Sequence, residues 1–343
     1  MNRYSPPLAI AGLLAVFAIV LVLLTWRAAP VGESPVAVAT PPAEPVRSLE
    51  PIVPLPRSIE LPTDKVALGE RLFHDRRFSR DGTIACASCH NLETGGSDRR
   101  RVSPGVGGIS GVINAPTVFN VGFNFVQFWD GRARTLEEQV AGPIHNPLEM
   151  DADWDLVVDR LRLDEDYRQR FDAIYPQGIT PVTIADAIAT FERSLITPDA
   201  PFDRYLHGDR TAISDAAREG YARFKDYGCA SCHQGVNVGG NLFQRFGVLG
   251  DYFADRGNVT TADLGRFNVT GREQDRHVFK VPSLRNVELT PPYFHDGSAQ
   301  ELEDAIDVMG HYQLGRKLSA EDRRLIASFL RSLTGDLGRV TTP

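Results

Sequence analysis

Apolar residues recur at three- and four-residue intervals in six stretches of the chain, and each stretch predicts a helix. These run over residues 64–77, 155–174, 182–196, 214–227, 298–309 and 319–333. Ser214, Ser298 and Ser319 open three of them in N-cap position, and Gly310 and Gly335 follow closely behind the last two. No alternating run of apolar and polar residues is long enough to predict a large sheet. The expected class is all-α with long connections.

A different pattern occupies the N-terminus. Leu8 to Trp26 carries no charge, is just long enough for one membrane crossing, and exceeds the apolar core of most cleaved signals. The expectation is a transmembrane anchor at 8–26 with residues 1–7 in the cytoplasm. Cleavage at Ala37-Val38-Ala39, leaving a soluble periplasmic protein, is the alternative. Residues 27–56 are proline-rich and predict an extended linker. Either way the bulk of the chain is expected in the periplasm. At 343 residues, 42% hydrophobic and 24% charged, it has the make-up of a globular protein and not of a disordered or collagen-like one. A net charge of −7 argues against a nucleic-acid partner and suits a basic patch on another protein.

An internal repeat organises the exported part. Asn114-Ala115-Pro116-Thr117-Val118-Phe119-Asn120, Phe128-Trp129-Asp130-Gly131 and Leu136-Glu137 return as Lys280-Val281-Pro282-Ser283-Leu284-Arg285-Asn286, Phe294-His295-Asp296-Gly297 and Leu302-Glu303. Pro116 to Asp130 and Pro282 to Asp296 span the same interval, and each copy follows a helix and a Cys-Ala-Ser-Cys-His. This predicts a duplicated domain, with one copy at 57–205 and the other at 206–343.

Cys86-Ala87-Ser88-Cys89-His90 and Cys229-Ala230-Ser231-Cys232-His233 have the spacing of c-type haem attachment. Two thiols three residues apart can bond the two vinyl groups of one macrocycle, and the adjacent histidine reaches the iron. A disulfide has no need of the histidine, and a zinc site would require the two pairs to converge. The second axial position decides whether a haem carries electrons or does chemistry. Apart from Met1, the chain offers Met150 and Met309. With the repeats aligned on Asp130 and Asp296, Met309 falls opposite Pro143, which has no ligand to give. One haem closed by Met309 and one left open is the expectation; a core-filling role for Met309 is the alternative.

The chain resembles the bacterial di-haem cytochrome c peroxidases, relatives of the methylamine-utilisation di-haem enzymes, from about Leu68 to Thr334. The resemblance is carried by LFHDRRFS, both CASCH sequences, NAPTVFN, FWDGRARTLEEQ, GPIHNPLEM, FERSLITPDAPFD, PSLRNV, YFHDG and DVMG. It implies two cytochrome c-like domains, each with one covalent haem c held by Cys86 and Cys89 or by Cys229 and Cys232. It implies His90, His233 and Met309 as axial ligands. Hydrogen peroxide would be reduced at the N-terminal haem, with electrons reaching the C-terminal haem from a small cytochrome c or cupredoxin. Glu149 and Gln139 match the family's pocket pair, and Trp129 its tryptophan between the haems. Asn114, with the backbone oxygens of Thr290 and Pro292, matches its calcium site. Taken alone, Glu149 reads as a solvated carboxylate, Gln139 as an exposed helix residue and Trp129 as core. One departure stands out: many members cap the oxidised first haem with a histidine from the following loop, and residues 91–144 contain none.

Two other functions compete with the peroxidase. A di-haem oxidase that modifies residues of a partner protein would carry a tyrosine in place of Met309. A membrane-tethered di-haem electron carrier would gain nothing from an open iron. A homodimer is compatible with the sequence.

Overall fold

A computed structural model describes residues 50–337. The expected anchor at 8–26 and most of the linker lie outside the described residues. Among the described residues, no helix is long and apolar enough to cross a membrane. The last part of the expected linker is folded: Ile52 and Leu55 are buried, and Ile52 forms a bridge to Gly235.

The fold is helical. Helix α1 spans Thr63–Phe73, α2 Leu136–His145, α3 Trp154–Arg162, α4 Glu165–Ile174 and α5 Pro181–Ser194. Then come α6 Pro201–Leu206, α7 Asp215–Asp226, α8 Leu302–Val308 and α9 Ala320–Arg331. Among the described residues the strands are two three-residue segments, Phe243–Arg245 and Val278–Lys280, paired antiparallel. Ser214 and Ser319 cap α7 and α9 as their sequence predicts.

Three expectations need correction. The stretch 155–174 is two helices, because the Asp164 carboxylate accepts the amides of Asp166 and Tyr167 and starts a second one. Ser298 does not cap α8; its hydroxyl bonds the Tyr252 hydroxyl, and the helix starts at Leu302. Beyond α8 the chain continues through Gly310 as a π-helical turn over Met309–Gln313.

The two sequence repeats share backbone features. In one copy α1 crosses α5 at Gly69, where an added Cβ would lie 2.0 Å from the carbonyl oxygen of Ala187. In the other, α7 crosses α9 at Gly220, where a Cβ would lie 1.9 Å from that of Leu325. Only glycine permits either crossing. Phe128 and Phe294 share a left-handed conformation, as do Asn120 and Asn286. Those two asparagines meet at one hydroxyl, each side-chain amide donating to Thr197 Oγ1, at 2.9 and 3.0 Å. The two largest apolar clusters among the described residues are separate. Leu68, Leu72, Val140, Ile144 and Ile188 belong to one, and Phe202, Phe224, Ile326 and Phe329 to the other.

A buried ion pair ties α6 to the second repeat. Arg285 donates from both terminal nitrogens to Asp203, at 2.9 and 3.0 Å, with both side chains almost wholly out of solvent. Asp203→Ala would strand the guanidinium, so a loss of about 3–5 kcal/mol of stability is expected. Chemical denaturation against the wild type measures it, and a loss below about 1 kcal/mol would mean that water replaces the carboxylate.

Candidate active site

The two pentapeptides fold alike. Cys86–Cys89 forms one helical turn, with the amide of His90 donating to Cys86 O. Cys229–Ser231 forms a tighter turn, with the amide of His233 donating to Cys229 O. Residues three apart on such a turn share a face, so each pair of thiols can reach one side of a planar group. No disulfide joins any of the four cysteines. Burial pushes the Cys229 thiol up to about 11 and raises Cys86 and Cys89 as well.

Both histidine rings are fixed in the same manner. His90 Nδ1 lies 3.3 Å from Gly96 O, and His233 Nδ1 lies 3.4 Å from Val238 O. A ring that donates from Nδ1 keeps the Nε2 lone pair for a metal. Burial lowers the pKa of both, that of His233 to about 4, so each is neutral at neutral pH, as ligation requires.

The surroundings then diverge. His90 opens on a narrow cavity of about 60 Å³, lined also by Gln139 and Pro143 of α2 and by Glu149. His90 is the one histidine lining it, and Met150 is buried in its wall. The Glu149 carboxyl accepts from Asn146 Nδ2 at 2.6 Å, and burial raises its pKa against the opposing charge of Arg132. His145 lies outside this cavity, exposed, with its ring edge-on to Trp154. His74 is exposed too, its Nδ1 on the Glu70 carbonyl.

His233 faces a larger cavity of about 370 Å³, with Met309 on its wall. Trp129, Asn114, Thr290 and Pro292 line this same cavity, and none of the four lines the first. Trp129 Nε1 donates to Asn114 O at 3.0 Å. The Asn114 side-chain amide donates to Arg100 O at 2.9 Å. His295 takes the repeat position of Trp129; it is buried, stacked on Phe279, and its Nε2 lies 2.8 Å from Asp263 Oδ1.

Two residues here escape the sequence reading. Lys280 is buried on the wall of the larger cavity, where burial pulls its pKa down to about 8, and it has no ion pair among the described residues. Its repeat position was the available signal, since it stands where the first copy has Asn114. Glu192 of α5 lines the smaller cavity, buried, with its pKa pushed up to about 8.

Fold and site together define a mostly helical protein of the c-type haem class, with two unequal cavities. Residues 63–211 match the sequence model of the family described as di-haem cytochrome c peroxidase. The cytochrome c peroxidase Ccp of Escherichia coli K12 is 49% identical over 83% of this chain, which spans 61% of that protein's length. The cytochrome c551 peroxidase of Nitrosomonas europaea is 45% identical over 84% of this chain and 85% of its own. The methylamine utilization protein MauG of Methylorubrum extorquens is 37% identical over 85% and 84%. A solved MauG-like protein associated with microbial copper homeostasis superposes with a TM-score of 0.73, at 30% identity, over 87% of this chain and 97% of its own. The chain belongs to the di-haem cytochrome c peroxidase family.

Membership implies two haem c groups, and the donor residues at both sites are of the kind that hold them. Each cavity joins a thiol pair, a neutral histidine and largely apolar walls. An unpaired buried ammonium is costly. The carboxylates that a haem brings would give Lys280 its missing partner.

Proposed function

We propose that this chain is a di-haem cytochrome c peroxidase, reducing hydrogen peroxide to water with electrons from a small cytochrome c or cupredoxin. The supporting observation is the asymmetry of the two cavities: His90 looks onto Pro143, Gln139 and Glu149, whereas His233 looks onto Met309. Haem c held in both cavities would supply the redox-active iron. Glu149 takes the proton from the near peroxide oxygen and returns it to the leaving one, acting as base and then as acid. Gln139 orients peroxide through its side-chain amide. With haem in the larger cavity, Met309 would offer its thioether to the iron, Lys280 would neutralise carboxylate charge, and Trp129 would provide a polarizable ring for electron passage.

The remaining assignments belong to the same reading. Asn114, with the backbone oxygens of Thr290 and Pro292, offers calcium hard oxygen ligands. The copies divide at residues 205 and 206, and the protein works in the periplasm, tethered by residues 8–26. A partner-modifying oxidase is the second reading, and Met309 speaks against it.

The test is steady-state peroxide turnover with a reduced donor protein, together with a pyridine haemochrome count. Two haems per chain and donor-dependent turnover are expected; one haem, or no turnover with any such donor, would overturn the reading. A separate prediction concerns the resting protein. With Pro143 opposite His90 and no histidine in residues 91–144, the oxidised protein should bind cyanide without prior reduction. Optical titration checks it, and a need for one-electron reduction first would show that another residue closes the site.

A further inference from the structure

Reducing one peroxide to two waters consumes two protons as well as two electrons. Glu149 shifts a proton from one oxygen to the other, which adds none to the total. The cavity must therefore draw protons from solvent through walls that include Val140, Ile144 and Ile188. One further carboxyl reaches it. Glu192 is 6% exposed, lines the cavity, and its Oε2 has no hydrogen-bond partner among the described residues. Beside it in sequence, Arg193 Nη1 pairs with Glu137 Oε1 at 2.7 Å, and both of these side chains are about one-third exposed.

We propose that Glu192 is the inner station of a proton path leading from the Glu137–Arg193 pair at the surface to the cavity of Gln139 and Glu149. This rests on the peroxidase reading above. A buried carboxyl with an unmatched oxygen destabilises the fold, so its position is explained better by use than by packing. Burial and the neighbouring Glu137 keep Glu192 protonated, and Arg193 opposes them. Toward the cavity it shares the wall with Cys86 and Ile188. A neutral acid at this place holds a proton that it can release inward and recover from the surface side. In each turnover the O–O bond breaks, the reduced donor protein supplies two electrons, Glu192 hands on two protons in succession, and two waters leave.

Glu192→Gln keeps the shape and cannot shed a proton at neutral pH. The variant should retain two haems and an unaltered KM for peroxide. Its kcat should fall roughly tenfold or more, with a larger solvent deuterium isotope effect than the wild type. Infrared difference spectra taken on cyanide binding to the oxidised protein should show a protonated-carboxyl band that shifts in D₂O and is missing from the variant. Wild-type kcat and isotope effect in Glu192→Gln, or the absence of that band, would overturn the path and leave the peroxidase reading standing. A wild-type protein without peroxide turnover would overturn that reading itself, and the infrared band would still report on Glu192. Should Glu192→Gln fail to hold haem, Glu137→Gln tests the outer end of the path. Its isotope effect should rise at unchanged KM, and an unchanged isotope effect would refute the proposal.

Discussion

Glu149→Gln should keep both haems and the wild-type rate of electron uptake while losing roughly 10²-fold or more of its peroxide turnover. The carboxyl sits in the wall of the smaller cavity with His90, Gln139 and Pro143, held by Asn146 Nδ2 at 2.6 Å. An amide in its place preserves the volume and can still accept that hydrogen bond. What it cannot do is take a proton from one peroxide oxygen and give it to the other. Haem content, the rate of reduction by the donor and steady-state turnover, measured on one preparation, separate loss of chemistry from loss of structure. Turnover within a few-fold of wild type would remove Glu149 from the proton transfer.

The same residue should shape the pH profile. Burial is the leading influence on Glu149 and raises its pKa. The base in the first proton transfer is the ionised form, so turnover should fall as pH drops through that raised value. The acidic limb should then lie above the ordinary glutamate range of about 4.3. In Glu149→Gln this limb should vanish from the residual activity, because no ionisation is left there to govern it.

Much of this site is legible in the sequence because its chemistry is tied to spacing. Cys86, Cys89 and His90 must be adjacent to serve one planar group, and the second pentapeptide repeats them. The repeat extends that reading: aligning Asp130 with Asp296 sets Met309 against Pro143, and each lies on the wall of its own cavity. Helix α2, which carries Gln139 and Pro143, is less legible. A proline with a glycine before it reads as a break, and here it is accommodated near the helix end. Glu192 is hidden for another reason. Helix α5 packs against both α1 and α2 and is buried on more than one face, so its apolar pattern does not reveal which polar position meets a cavity. The role of Trp129 is legible only in part, since the motif gives its position but not its place on the larger cavity's wall alone.

Met309→His should leave the second haem low-spin and lower its reduction potential by about 0.2 V, a fraction of the ~0.8 V range that axial ligands command. Thioether sulfur favours the ferrous state, and imidazole, a stronger donor, favours the ferric one. Met309 stands where helix α8 gives way to the π-helical turn Met309–Gln313. Such turns recur at functional sites because an extra residue re-aims the side chains around it. The turn is held from outside by Arg316, whose amide donates to Gly310 O at 2.8 Å, and by Leu318, which leaves no room for a Cβ at Gly310. The backbone that presents position 309 should therefore survive the substitution. A lower potential would hinder electron uptake, so turnover should fall with it while cyanide binding at the His90 cavity stays as in the wild type. Potentiometric titration followed in the visible spectrum measures the shift. An unchanged potential and spectrum would mean that Met309 fills space on the wall of the His233 cavity and does not reach the iron.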